Sequence, residues 1–238
     1  MYLFYIRHGD PVYDPDSLTP LGREQANALA KRLCRYGIDE IYSSPSNRAV
    51  LTAKPTADLL RKEITTLDWC NESHAWNEFT QQCSDGHTCW LFSSWEHIRV
   101  MSSPEVLAMG NKWYEHPYFV NGEKHKQGIE RITREARGFM SEQGFDFCEE
   151  DGLYHCRKPN GKRIALFAHE GFGTAFLPCL LNIPYPLFAS HFCIGHSSMT
   201  VIEFSEVEAS SARILTYSND SHIYAEGLPT KFHNRVFY

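Results

Sequence analysis

The sequence predicts an α/β fold: a mostly parallel central sheet flanked by helices, with a helical, aromatic-rich insertion. Three observations carry this. The first quarter of the chain alternates apolar runs with amphipathic stretches in the order strand, helix, strand, helix, strand. A later run, RIALFA at 163–168, repeats the character of the opening run YLFYI at 2–6, and each is followed by a His and then a Gly within three residues. Between them, the stretch 68–128 holds all five tryptophans and breaks the rhythm.

Taken in order, Tyr2 to Ile6 is rich in β-favouring and aromatic side chains and reads as a buried strand, stopped at Gly9 and Pro11. Asp14 to Ser17 is a polar turn. In LTPLGREQANALAKRLCRYG (18–37), Thr19 is an N-cap, with Pro20 at the first helical position. Leu21, Ala26, Leu29, Ala30 and Leu33 recur at helical spacing, and Gly37 ends the helix. Ile38 to Ser43 alternates as a second strand, and Ser44-Pro45 turns the chain into a helix from about Ser46 to Arg61, with Arg48 in its first turn. Ile64 to Leu67 is a third strand. Within and just after the insertion, 103–116 and 125–143 read as helices. The insertion is expected to pack beside the sheet edge, most of its rings forming core rather than pocket wall. Phe145 to Arg157, centred on Asp151-Gly152, is a β-hairpin, and Asn160-Gly161 is a further turn. After the strand at 163–168 a helix runs to about Leu181, and Thr200–Phe204 and Arg213–Tyr217 are two more strands. The tail from Glu226 to Tyr238 carries no assignable pattern. With no repeat, low-complexity tract or linker, the expectation is one domain over 1–238 with a cap-like subdomain at about 68–128.

The composition, 42% hydrophobic and 22% charged, supports a sizeable core. A formal net charge of −6 argues against a general nucleic-acid or membrane-surface partner, but leaves room for a local positive pocket that binds a small anion. No apolar run approaches a membrane span, and the first strand begins at residue 2, so a cytoplasmic location is expected. The eight cysteines are scattered and read as free thiols. Cys83, His87 and Cys89, with Cys70 and His74 upstream, come closest to metal spacing, but no paired CxxC units accompany them and no metal is expected.

The chemistry-bearing residues gather where strands end. Arg7, His8 and Gly9 close the first strand, Arg48 opens the second helix, and His169 closes the strand at 163–168. In an open α/β sheet, ligands bind outside the carboxyl ends of the strands. There a His can act as nucleophile, an Arg can hold anionic oxygens in a fork, and a Gly lets the backbone approach.

With RHG (7–9), LTPLGREQA (18–26), SSPSNRAVLTA (43–53), AHEG (168–171) and NDSHI (219–223) in this order, the chain resembles the histidine phosphatase, or phosphoglycerate mutase-like, superfamily. The resemblance covers most of the chain. It implies a histidine acid phosphatase-type phosphomonoesterase that hydrolyses a small phosphorylated metabolite, without metal or other cofactor, through a covalent phosphohistidine on His8. Arg7 and Arg48 would hold the phosphoryl oxygens, and His169, if protonated, would add a charged hydrogen bond. The nucleophile's second nitrogen should donate to a backbone carbonyl. The family's general acid follows the third strand. Glu72 fits by position, with Glu78 in reserve, and a site beside Trp69 and Trp76 could raise its pKa. Asp14 stands where many relatives have a phosphate-binding Asn, and is expected to point away. His196, in Gly195-His196-Ser197, is read as a turn residue, with a phosphate contact as the alternative. His222 matches a structural family feature. A mutase is disfavoured because the GW-containing turn and ERHYG-like run are missing. A non-catalytic phosphate-binding module is disfavoured by the intact His8, Arg7, Arg48 and His169 set. Substrate identity and oligomeric state stay open.

Overall fold

The computed structural model describes residues 1–232 and 236–237. β1 (Tyr2–Arg7) leads through a short hairpin, β2 (Pro11–Tyr13) and β3 (Asp16–Leu18), into α1 (Pro20–Tyr36). β4 (Glu40–Ser43), α2 (Asn47–Leu60) and β5 (Ile64–Thr66) follow. The stretch 68–128 forms α3 (Glu72–Phe79), the hairpin β6 (Thr80–Gln82) and β7 (Thr88–Trp90), α4 (Trp95–Met101), α5 (Pro104–Ala108) and the start of α6 (Gly122–Glu142). Next come the hairpin β8 (Phe145–Cys148) and β9 (Leu153–Cys156), β10 (Arg163–Ala168), α7 (Glu170–Leu181) and α8 (Tyr185–Ala189). The chain continues with β11 (Met199–Glu203), β12 (Ala209–Ser210), β13 (Arg213–Asn219), α9 (Ser221–Ala225) and the paired β14 (Lys231–Phe232) and β15 (Val236–Phe237). Residues 233–235 and 238 of the unassigned tail lie outside the described residues.

The central sheet has the order β13-β11-β1-β10-β4-β5, with β1, β10, β4 and β5 parallel and β11 antiparallel to both of its neighbours. This is the mostly parallel sheet expected. β1 is buried on both faces, so its residues divide by alternation. Phe4 and Ile6 face a core with Leu29 and Leu33 of α1 and Ala53 and Ala57 of α2. Leu3 and Tyr5 face the opposite core, which holds Phe172 and Phe176 of α7, Phe139 of α6, and Phe79 and Trp113 of the insertion. The insertion therefore packs over the α7 face of the sheet and not beside its edge. The reason is hydrophobic: α7 is buried along most of its length, and α3 and α6 supply the apolar surface that covers it.

The β2–β3 hairpin stands where the sequence reads as a polar turn. Its three-residue strands are too short for alternation to register. α1 begins as expected, with Thr19 accepting the Gly22 N–H at 3.0 Å, a cap worth about 1 kcal/mol. Gly37 ends α1 in the left-handed conformation, at φ 71°.

Candidate active site

The site is built at the carboxyl ends of β1, β4 and β10, and the sequence motifs explain how. Gly9 and Gly22 lie back to back, and a Cβ on Gly9 would sit 2.7 Å from the Gly22 carbonyl oxygen. Only glycine permits this approach of the strand end to α1. Gln25 accepts the Asp10 N–H at 2.8 Å, and Thr52 accepts the Gly9 N–H at 3.0 Å. Gly22 and Gln25 of the first helix motif and Thr52 of the second thus fix the backbone just beyond His8.

His8 is 3% exposed, and its Nδ1 donates to the Gly9 carbonyl at 2.8 Å, leaving Nε2 as the bare nitrogen. Burial, then the nearby His169 and Arg7, push its pKa well below the usual histidine value. The ring is neutral at physiological pH, the form a nucleophile requires. Arg7 is held on three sides: Nη1 contacts Glu170 Oε2 at 2.8 Å and the Ile194 carbonyl at 2.5 Å, and Nη2 contacts His196 Nε2 at 2.7 Å. Arg48 pairs with Asp16 at 2.9 Å. The Nε atoms of both arginines are buried without a hydrogen-bond partner.

Glu72 opens α3 and reaches across to the start of α7. Its two carboxylate oxygens accept the N–H groups of Gly171 and Phe172, each at 3.0 Å. Those bonds favour the charged form, but burial outweighs them and raises the pKa to about 7. Glu78 is engaged elsewhere, in a two-pronged pair with Arg131 at 2.6 Å per contact, and does not line the cleft.

Arg7, His8, Arg48 and Glu72 all line one cleft of about 1130 Å³. His169 does not. It lies fully buried behind His8, with ring centroids 5.2 Å apart, its Nε2 2.8 Å from the Ser44 hydroxyl and its Nδ1 without a partner. Burial, then Arg48 and Arg7, hold its pKa well below normal, so the charged form considered from the sequence is not the resting one.

Asp14 lies outside the cleft, as expected, exposed at the hairpin turn, and the cleft carboxylate on that hairpin is Asp16. His196 does sit in a turn, but its ring lies 5.6 Å from His8 and its Nε2 meets Arg7, so it belongs to the site. The insertion's rings also divide differently. Trp113 is buried and Trp69 packs on the core, whereas Trp76, Trp90 and Trp95 line the cleft with Phe92. Ser44 and Glu170 stand inside the SSPSNRAVLTA and AHEG motifs without being singled out there, and Asp16 and the cleft tryptophans carry no local signal that separates them from ordinary surface and core residues. His222 packs as a brace, with Nε2 3.2 Å from the Ser197 hydroxyl and burial lowering its pKa to about 4.

Fold and site together define an α/β protein whose strand ends carry an anion pocket around an uncharged histidine. Residues 3–216 match the model of the histidine phosphatase superfamily (branch 1), and the chain belongs to that family. Phosphoserine phosphatase 1 of Hydrogenobacter thermophilus is 26% identical over 152 residues, covering 59% of this chain and 63% of its own length. A second protein of that organism is 35% identical over 71 residues, 26% of this chain and 35% of its own. The chain thus spans between about a third and two thirds of the lengths of the curated relatives it matches. Phosphoserine phosphatase from Entamoeba histolytica, solved with 3-phosphoglyceric acid, superposes with a TM-score of 0.57 at 19% identity, over 93% of this chain and 98% of that one. Alpha-ribazole phosphatase from Shigella flexneri gives 0.56 at 19%, over 92% and 97%. Among the described residues no helix is long and apolar enough to cross a membrane.

Proposed function

We propose that this protein is a cytoplasmic phosphomonoesterase that hydrolyses a small phosphorylated metabolite through a phosphohistidine on His8. The observation that carries the reading is the pairing, in one cleft, of a neutral His8 with Nε2 bare and a Glu72 whose pKa of about 7 lets it hold a proton near neutral pH. A site that only binds phosphate needs neither. Family membership and the phosphoserine phosphatase relatives support the same reaction class.

In this scheme Arg7 and Arg48 bind the phosphoryl oxygens and the substrate's dianion offsets their charge. His8 Nε2 attacks phosphorus in line; the N–P bond forms as the P–O bond to the alcohol breaks. Glu72 passes its proton to the leaving oxygen. Water then attacks the phosphohistidine, Glu72 takes up a proton from it, and inorganic phosphate and free His8 are regenerated. The phosphate's negative charge also favours a proton on His169, against the burial and the two arginines that disfavour it. Positioning and charge stabilisation supply most of the catalysis, as phosphoryl transfer requires.

The test is a panel of phosphorylated metabolites, read for released phosphate and for an acid-labile, base-stable phosphoenzyme. Label on a peptide containing His8, and loss of turnover in His8→Ala with an unchanged circular dichroism spectrum, is the expected result. Substantial turnover in a folded His8→Ala overturns the covalent route. Transfer of the label to a second phosphate acceptor in place of water identifies a mutase.

A further inference from the structure

The hairpin β6–β7 and the helix α4 that follows it hold a cluster that the phosphatase reading does not use. Cys83 Sγ lies 2.7 Å from Cys89 Sγ and 3.6 Å from His97 Nε2, and the three ligand-type atoms fall within 4.8 Å of one another. A ring nitrogen of His87 lies within the same distance of Cys83. The arrangement follows from strand geometry. Gln81 pairs with Cys89 and Gln82 with Thr88, and the Cys83 N–H bonds the His87 carbonyl at 2.8 Å. Alternation therefore puts Cys83, His87 and Cys89 on one face of the hairpin, and α4 lays His97 over it.

The geometry points to a structural zinc site, with Cys83, Cys89 and His97 already gathered as ligands and His87, on the hairpin turn beside Cys83, closing on the ion as the fourth. Two thiolates and two imidazoles are a standard tetrahedral set, and the two negative sulfurs cancel the ion's charge at a partly buried position.

The second argument is how the histidines are held. His97 is fully buried; its Nδ1 meets the Tyr118 hydroxyl at 2.7 Å, and that hydroxyl lies 3.3 Å from Glu96 Oε1. With Tyr118 donating to Glu96, it must accept from His97 Nδ1–H, which leaves Nε2 bare and facing the sulfurs. His87 is set similarly, its Nδ1 bonded to Asp85. A carboxylate or hydroxyl behind each imidazole is the outer shell that metal-binding histidines use to fix tautomer and orientation. A disulfide between Cys83 and Cys89 accounts for the sulfurs alone and leaves both prepared imidazoles without a role. At 2.7 Å the sulfurs stand further apart than the 2.03–2.05 Å of a bonded pair and closer than two zinc-bound thiolates, so the ion moves them apart on binding. With Zn–S near 2.3 Å, tetrahedral coordination spreads the sulfurs to about 3.8 Å.

The ion's position gives it a task. Trp90, Phe92, Ser93 and Trp95, all cleft-lining residues, fall between the ligands Cys89 and His97. Closing those ligands on one ion clamps both ends of the segment that forms the aromatic wall.

The experiment is metal analysis of the full chain, purified under reducing conditions, beside Cys83→Ser, Cys89→Ser and His97→Ala. About one zinc per chain is expected, with loss in each variant. To keep the test independent of how the variants fold, the reduced, metal-stripped parent is also titrated with cobalt. The expected product is a visible spectrum of tetrahedral, thiolate-bound cobalt that added zinc erases. The loaded parent should melt higher than the stripped one, with KM moved more than the rate of His8 phosphorylation. Failure of the reduced parent to take up either ion, or zinc retained undiminished in Cys83→Ser and Cys89→Ser, overturns the site. A Cys83–Cys89 disulfide whose reduction yields no metal uptake does the same. Metal content, the cobalt spectrum and the melting temperature do not depend on the phosphatase assignment.

Discussion

Glu72→Gln separates proton donation from phosphate binding. Burial lifts the Glu72 carboxyl from 4.5 to about 7, so the acid form persists to neutral pH and is lost as pH rises through that value. Glutamine keeps an acceptor for only one of the Gly171 and Phe172 N–H groups, a loss that does not vary with pH, and has no proton of the right acidity to give. Loss of a general acid costs about 10²–10⁴-fold in rate. That cost should fall on substrates whose alkoxide leaves poorly, such as a serine phosphate. p-Nitrophenyl phosphate, whose phenolate needs no proton, should lose about tenfold or less in the phosphorylation step. Rapid-quench measurement of phosphohistidine formation with both substrates isolates this step from the hydrolysis that follows. The parent's rate with the poor leaving group should decline above about pH 7, and the variant should lack that limb. A stability signature accompanies it. Raising a carboxyl from 4.5 to about 7 sets about 3 kcal/mol against its charged form in the folded state. That stability is intact below the unfolded pKa and lost as pH rises through the folded one. Urea unfolding of parent and variant should therefore show the parent losing about 3 kcal/mol relative to Gln between acid and mildly alkaline pH. Equal rate losses for both leaving groups would refute Glu72 as the acid.

Two further substitutions probe the site's supports. His196→Ala removes the contact to Arg7 Nη2 at 2.7 Å; a hydrogen bond to a charged group is worth about 1.5–3 kcal/mol, so kcat/KM should fall by about 10–100-fold. Inhibition by inorganic phosphate should weaken in step, and an unchanged inhibition constant refutes the role. Gly171→Ala places a Cβ 2.6 and 2.7 Å from Cζ3 and Cζ2 of Trp90. The indole must move, at an overpacking cost of about 1–3 kcal/mol. A lower melting temperature with a shifted KM is expected, and an unchanged KM would show that Trp90 does not bound the substrate.

The parallel sheet was legible because its elements carry strong local signals: the Thr19-Pro20 start and Gly37 stop of α1, and the uninterrupted apolar runs of β1 and β10. The placing of Arg7, His8, Arg48 and Glu72 on one cleft followed from strand order, which puts β1 and β10 side by side and β4 next to β10. His196 was read as a turn residue because its backbone does lie in a turn; only the return of the chain into β11 aims the ring at Arg7. Asp16 was hidden by a hairpin too short to show periodicity. Trp76, Trp90 and Trp95 could not be told from core tryptophans, since an aromatic residue at a cleft wall and one in a core have the same composition. His97 was missed as a partner of Cys83 and Cys89 because α4 brings it there through tertiary packing and not through sequence spacing.

Both arginines of the pocket are engaged by carboxylates before any substrate arrives, Arg7 by Glu170 and Arg48 by Asp16. These pairs hold the guanidiniums in fixed positions, so little side-chain freedom remains to be lost when a phosphoryl group binds. They also make the phosphate compete for its donors, which weakens ground-state binding of substrate and product alike. Weaker uniform binding raises KM without slowing the chemical step. The orphaned Nε atoms are donors not spent in those pairs. For the proposed hydrolysis, a site of this kind orients the phosphoryl group without trapping the inorganic phosphate it releases. Glu170 has a second function in that balance, because it opens the helix whose next two N–H groups hold Glu72. The carboxylate that restrains Arg7 and the backbone that restrains the acid are therefore one structural unit, which couples the geometry of phosphate binding to that of proton transfer.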